Sequence, residues 1–250
     1  AFAAVAAWVF LVSASPNAPV NDALIEGDGL PATLSEFRLL AGKFGQKPNG
    51  GVTPYKLNTP LFSDYAEKFR FYYVPPGRKI GWRDDGVLEF PVGSVLIKSF
   101  GYPADMRMPA KSLRMIETRL LIHRATGWVA LPYVWNADGS DAVLKRAGMR
   151  MDISWTHLDG RPRTISYAIP NVNQCKGCHD DGAGGISPIG PKARNLNRDG
   201  QLEAAFRLYE DKRIVRTARV VLSAREMGRL YHAKGVERLG VPSVMMTDGP

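Results

Sequence analysis

An alternation of apolar and polar residues between about Tyr55 and Ile169 constrains the fold of this chain more than any other sequence feature. Alternation with period two is typical of a β-strand that buries one face. Turn-forming dipeptides separate the runs, and those at Thr126-Gly127 and Asp159-Gly160 predict hairpins. The pattern predicts an antiparallel, sandwich-like β domain over residues 55–170. The residues that share one face in three such runs are Phe69, Phe71 and Tyr73; Ile116, Thr118, Leu120 and Ile122; and Val129, Leu131, Tyr133 and Trp135.

The chain opens with a mainly apolar run from Ala1 to Val12, followed by the small residues Ser13, Ala14 and Ser15. These are features of the hydrophobic and cleavage regions of a secretory signal, and the run is shorter than the ~20 apolar residues of a membrane span. We expect residues 1–15 to be a signal-peptide remnant, with a buried N-terminal helix as the alternative. This predicts an exported bacterial protein of the periplasm without a stable membrane span.

The segments on either side of the β domain differ in composition. Residues 16–54 combine a linker rich in Pro, Gly and Asn with one short helix, which the capping-box spacing of Thr33 and Glu36 predicts. After Pro170 the alternation stops, and a loop-rich stretch leads into helical patterns, including a second capping-box match at Ser223–Glu226. We therefore expect residues 171–250 to form a small, mainly helical module, and we assign the whole chain to the α+β class.

The net charge of +9 is spread along the sequence without a long block of like charges. A solvated basic surface accounts for it, and a mild preference for acidic partners is the alternative. With 45% hydrophobic and 23% charged residues, the composition excludes a disordered tail and a membrane channel. No pattern matches a nucleic-acid-binding module.

The chain's two cysteines lie in the motif Cys175-Lys-Gly-Cys178-His179. Positions three and four apart on a helix share a face, so both thiols and the imidazole can meet one flat ligand. Two thioethers and an axial imidazole are the attachment chemistry of haem c. The motif predicts one covalent haem c, bound through Cys175 and Cys178, with His179 as an axial iron ligand.

Other uses of the motif stay open. A zinc site would need further ligands, a thioredoxin-like redox pair would start a helix that follows a strand, and a structural disulfide would leave His179 without a role. For the sixth iron ligand, methionine is common in electron-transfer cytochromes. Met227 is the candidate, because it lies within the capped helix whereas His232 falls at the end of that helix.

Five segments of the chain, one of which contains the cysteine motif, resemble a known family when they are taken in order. They resemble an uncharacterised bacterial family of exported dihaem c-type cytochromes, which is related to modules fused to glucose/sorbosone-type sugar dehydrogenases. The family's second C-x-x-C-H is absent here, so the family's dihaem character does not transfer to this chain. Residues Lys234–Pro250 instead resemble the start of a family 3 glycoside hydrolase. The five segments are Leu57–Lys68, Phe90–Lys98, Glu117–His123, Asn173–His179 and Pro188–Asn197.

Together these features predict a periplasmic c-type cytochrome that transfers electrons. We expect an electron carrier rather than a catalyst. Its partner would be a redox protein such as a periplasmic dehydrogenase or another cytochrome. The alternatives are a peroxidase-like haem enzyme with an open sixth site and a haem-free β-sandwich binding module.

Overall fold

The computed structural model describes residues 18–58, 61–83 and 86–196. Its main element is a six-stranded sheet in the order β3-β4-β5-β6-β7-β8, in which every neighbouring pair is antiparallel. The antiparallel β class predicted from the alternation is therefore confirmed. The six strands are β3 (Val52–Tyr55), β4 (Glu67–Tyr73), β5 (Val95–Pro103), β6 (Leu113–Arg124), β7 (Gly127–Trp135) and β8 (Ala142–Leu144).

Two smaller β ribbons, three short α-helices and three 3₁₀ turns (Leu34–Phe37, Lys43–Gly45 and Pro109–Lys111) complete the regular structure of the described residues. The first ribbon pairs β1 (Leu40–Ala41) with β2 (Lys47–Pro48). The second is the hairpin of β9 (Met149–Thr156) and β10 (Pro162–Ile169). The helices are α1 (Asp22–Glu26), α2 (Val172–His179) and α3 (Ala193–Leu196).

Both hairpins predicted from the turn dipeptides are confirmed. In the first, Arg124 pairs with Gly127 at the end of the β6–β7 ladder, and Gly127 has a φ of +112°. In the second, β9 and β10 flank Gly160, whose φ is +77°. Glycine adopts positive φ at little steric cost, which explains its place in both turns.

One face of the sheet packs against the N-terminal segment and forms the first core. Ile25, Phe37 and Leu39 are fully buried there. The Tyr133 hydroxyl donates to the Pro31 carbonyl at 3.0 Å, which ties the segment to β7. The predicted capping box is present, with the Thr33 N–H donating to Glu36 Oε1 at 2.9 Å, although the element it starts is a 3₁₀ turn. The sheet residues of this core include Phe71, Tyr73, Val95, Ile97, Leu120, Ile122, Leu131 and Tyr133.

The β9–β10 hairpin covers one end of the other face and forms the second core. Trp155 packs against Tyr102, with ring centroids 5.5 Å apart, and Tyr167 lies 5.8 Å from the same ring. The buried residues of this core include Phe100, Ile116, Val134, Ile153, Trp155, Tyr167 and Ile169. The hairpin leaves the middle of this face to polar side chains.

The predicted helical module over residues 171–250 lies only partly within the described residues. In that part, α2 and α3 are short and contain no buried residue. The structure therefore does not contain a helical haem module in the portion it describes. The predicted signal remnant (1–15) and the helix expected at Ser223–Glu226 lie outside the described residues. No described helix is long and apolar enough to cross a membrane.

Candidate functional site: a cationic row beneath helix α2

Three cationic side chains lie side by side across the second face of the sheet. Arg70 on β4 is paired in register with Lys98 on β5, and Lys98 is paired with Arg119 on β6. Directly opposite residues on neighbouring antiparallel strands project from the same face, so their side chains are neighbours. We call Arg70, Lys98 and Arg119 the cationic row.

The row is largely buried but reachable from solvent. Arg70 is 9% exposed, and the side chain of Arg119 is 31% exposed. The Phe100 ring lies against two of its members, with Lys98 Nζ 4.8 Å and Arg119 Cζ 4.4 Å from the ring centroid. Such cation–π contacts hold the charged ends in place without neutralising them.

One buried carboxylate neutralises one member of the row. The Glu117 side chain is fully buried and accepts from Arg119 Nη2 at 2.5 Å and from Arg119 Nε at 2.9 Å. The Tyr167 hydroxyl on β10 donates to Glu117 Oε1 at 2.6 Å. Within the described residues, neither Arg70 nor Lys98 forms an ion pair with a carboxylate.

The surplus of positive charge contributes to a lowered pKa of Lys98. Burial, and then the neighbouring cations Arg70, Arg119 and Lys68, lower the pKa of Lys98 from 10.5 to about 8, although Glu117 acts in the opposite direction. A buried lysine beside two arginines is costly to keep protonated. An anion placed against the row would reverse the shift.

Two residues, Pro170 and Asn171, separate β10 from helix α2, which contains the cysteine motif. Its N-cap residue Asn171 accepts from the Gln174 N–H at 2.8 Å, and the Asn171 N–H donates to Gln174 Oε1 at 2.9 Å. The Val172 N–H donates to the Arg146 carbonyl at 3.2 Å, which fixes the start of the helix to the β8–β9 turn. Gly148 in this turn allows the close approach, because a Cβ there would lie 2.5 Å from the Ile169 carbonyl oxygen.

The structure places the predicted site residues Cys175, Cys178 and His179 together on α2. Cys175 is half-buried and lies within electrostatic range of Arg119 and Glu117. Burial raises the pKa of its thiol, which Arg119 partly offsets. Cys178 is exposed.

His179 points toward the chain that follows α2. Its Nδ1 lies 2.9 Å from the Ser187 carbonyl oxygen. Burial lowers the pKa of this imidazole, the hydrogen bond to Ser187 opposes that shift, and Lys98 and Arg119 add to it. Met227, the predicted sixth ligand, lies outside the described residues. In the part of the chain that is described, no group of three or more His, Cys, Asp or Glu side chains could hold a metal ion.

Comparison with known proteins finds short segments shared with proteins named 3-hydroxybenzoate 6-hydroxylase. The chain is 57% identical over 51 residues to the 3-hydroxybenzoate 6-hydroxylase of Polaromonas naphthalenivorans, covering 20% of this chain and 12% of that protein. It is 68% identical over 40 residues to the Klebsiella oxytoca enzyme of the same name, covering 16% and 10%. It is 74% identical over 35 residues to 3-hydroxybenzoate 6-hydroxylase 2 of Aquipseudomonas alcaligenes, covering 14% and 11%.

The shared segments are a small part of these relatives, since each match spans about a tenth of the relative's length. No family model matches the chain. No solved structure matches it either. The resemblance to exported dihaem cytochromes stays a prediction of the sequence.

The predicted function and cofactor are wrong. The relatives found are hydroxylases rather than cytochromes, and the described residues contain no metal-ligand group. The C-x-x-C-H spacing requires only that three side chains share one helix turn; it does not supply the walls that enclose a macrocycle. Helix α2 has no buried residue, and Cys175 lies beside charged groups.

Sequence reasoning missed the cationic row. Lys98 and Arg119 each occupy a polar position in an alternating run, which marks them as lying on the opposite face from the first core. That signal was present in the sequence. Their apposition depends on strand register, which the alternation does not fix.

Proposed function

We propose that the protein binds an organic carboxylate at the cationic row. The observation that supports this proposal is the direct apposition of Arg70, Lys98 and Arg119 on adjacent strands. Like charges directly opposite each other destabilise a sheet. A protein that keeps such a row half-buried gains stability when an anion occupies it.

The chemistry of the row favours a carboxylate over a bare inorganic anion. Arginine presents a planar fork that matches a carboxylate, and lysine adds a compact point charge. The Phe100 ring is 2% exposed and lies under Lys98 and Arg119, so it holds their charged ends in place and offers little surface of its own to a ligand. A ligand with a carboxylate therefore fits the charges of the row.

Aromatic acids are the first ligands to test. The relatives that share short segments with this chain are named for 3-hydroxybenzoate, which is an aromatic carboxylate. Because each match covers about a tenth of the relative, we carry over the class of ligand alone, and no ring hydroxylation is proposed.

Isothermal titration calorimetry of the full chain tests the proposal with two matched probes, 3-hydroxybenzoate and 3-hydroxybenzyl alcohol. The two differ only in the carboxylate. We expect binding of the acid, no measurable binding of the alcohol, and an affinity for the acid that is about tenfold weaker in Lys98→Met. Lys145→Met, a change at an exposed lysine, is the control and should bind like the unmodified chain. Equal binding of acid and alcohol, or no effect of Lys98→Met, would exclude the cationic row as the site.

We also propose that the chain is exported to the periplasm. The apolar run Ala1–Val12 and the small residues after it support this location. Fractionation of the producing bacterium, with immunological detection, should recover the chain with periplasmic markers. Recovery with cytoplasmic markers would contradict export.

A further inference from the structure

Both cysteines of the 250-residue chain lie on α2, three residues apart, and both are free thiols. The carboxylate site does not use them. They differ in access, because Cys178 is exposed whereas Cys175 is half-buried.

The helix brings the two cysteines to the separation that a disulfide needs. With the standard rise and radius of an α-helix, Cα atoms three residues apart are about 5 Å from each other. Disulfides form over Cα separations of roughly 4.4–6.8 Å. The helix ends immediately after the motif, since the backbone at Asp180 is extended. A short terminal turn adjusts at little cost when the two sulfur atoms approach.

The surroundings of α2 leave both thiols free to react with each other. Strand β10 is separated from α2 only by Pro170 and Asn171. The pair lies in the last two turns of α2 rather than at its start, and the β9–β10 hairpin holds the beginning of that helix in place. Among the described residues no disulfide engages either thiol.

We propose that Cys175 and Cys178 form a redox-active dithiol that exchanges with small-molecule disulfides. The Cys178 thiolate attacks one sulfur of the external disulfide, forms a mixed disulfide and releases one thiol. The Cys175 sulfur then attacks Cys178 Sγ, releases the second thiol and closes the intrahelical disulfide. The cysteines lose two electrons and two protons in total, and the external disulfide gains them as two thiols.

The exposure of the two sulfur atoms sets this order. A bulky disulfide reaches the exposed Cys178 first, and the half-buried Cys175 is shielded from it but adjacent to Cys178. Replacing Cys175 should therefore trap the mixed disulfide, whereas replacing Cys178 should slow the reaction at the remaining thiol.

The test incubates the reduced full chain with oxidised glutathione and follows intact mass after alkylation. We expect the unmodified chain to lose the mass of two hydrogens and to resist alkylation at both cysteines. Cys175→Ser should keep one glutathione on Cys178. Cys178→Ser should react at least about tenfold more slowly than Cys175→Ser, because its one thiol is half-buried. Circular dichroism of both serine variants checks that the β fold is retained.

Equilibrium measurements show whether the folded structure favours closure of the Cys175–Cys178 disulfide. The equilibrium constant for disulfide closure against glutathione should be at least about tenfold larger in the folded chain than in denaturant. An equal constant in both states, a persistent mixed disulfide on the unmodified chain, or a disulfide-linked dimer would each overturn the proposal. None of these readouts depends on carboxylate binding, so this inference and the proposed function fail independently.

Discussion

Glu117 and Arg119, two residues apart on β6, form a two-point ion pair whose carboxylate is fully buried. Because the same carboxylate also accepts from the Tyr167 hydroxyl, its strong acceptor positions are used within this cluster. Arg119 is thereby neutralised, whereas Arg70 and Lys98 keep their charge beside it. The site therefore has one internally paired side and one side whose cations can attract an external anion.

Lys98→Met should have opposite effects on stability and on binding. The change removes a charge that burial and its neighbours disfavour, while a side chain of similar length keeps the packing over Phe100. We expect the ligand-free variant to unfold at higher urea concentration than the unmodified chain, while its affinity for 3-hydroxybenzoate falls. A variant that loses both stability and affinity would show that Lys98 is structural.

The stability of the ligand-free chain should rise with pH between about 8 and 10.5. Lys98 loses its proton near pH 8 in the folded chain and near 10.5 when unfolded, so the unfolded state holds more protons across this window. Under linkage, the free energy of unfolding then increases with pH. Urea unfolding at several pH values measures the slope, and Lys98→Met should flatten it. The charged and titratable groups that face Lys98 are Arg70, Lys68, Arg119, Glu117 and His179.

Tyr167→Phe and Glu117→Gln should separate the hydrogen bond from the ion pair. Tyr167→Phe removes one donor to Glu117 and should cost about 1–2 kcal/mol in the free energy of unfolding. Glu117→Gln leaves Arg119 without its buried partner and should cost about 3–5 kcal/mol. Denaturant titration measures both. Equal costs would mean that the charge on Glu117 contributes little.

Gly148→Ala should destabilise the start of α2. A Cβ at this position would lie 2.5 Å from the Ile169 carbonyl oxygen and 2.8 Å from the Asn171 N–H nitrogen, and the φ of +68° is itself unfavourable for alanine. We expect earlier proteolytic cleavage near residues 170–180 and a lower unfolding midpoint. Gly182→Ala is the matched control: its φ is +78°, but a Cβ there would meet no atom within 4 Å. Equal effects of the two changes would show that backbone strain, rather than contact with β10, is responsible.

Local patterns in the sequence predicted the local features of this fold. The β6–β7 hairpin follows from Thr126-Gly127 and the runs beside it, and the buried faces of Phe71, Tyr73 and Leu120 follow from period two. These features depend on residues close together in sequence, which a single chain reveals.

The cationic row required information that the sequence does not carry locally. Arg70 and Lys98 meet only because β4 and β5 pair in one register across the long connection between Tyr73 and Val95. The cysteine motif also shows that local sequence does not reveal which distant residues will be its neighbours. Its spacing correctly predicted a shared helix turn, but the groups facing that turn, Arg119 and Glu117, come from a strand more than fifty residues away.

The two edges of the six-stranded sheet have a consequence for self-association. An unpaired edge strand can recruit a strand from another molecule and start aggregation. Here β8 has only three residues, and the Leu144 N–H donates to the Ala32 carbonyl at 2.9 Å, so the N-terminal segment covers part of that edge. At the opposite edge, β3 is four residues long and contains Pro54, which has no N–H to offer a further strand. The six-stranded sheet therefore presents little free backbone at either edge, which disfavours the addition of a strand from another molecule there.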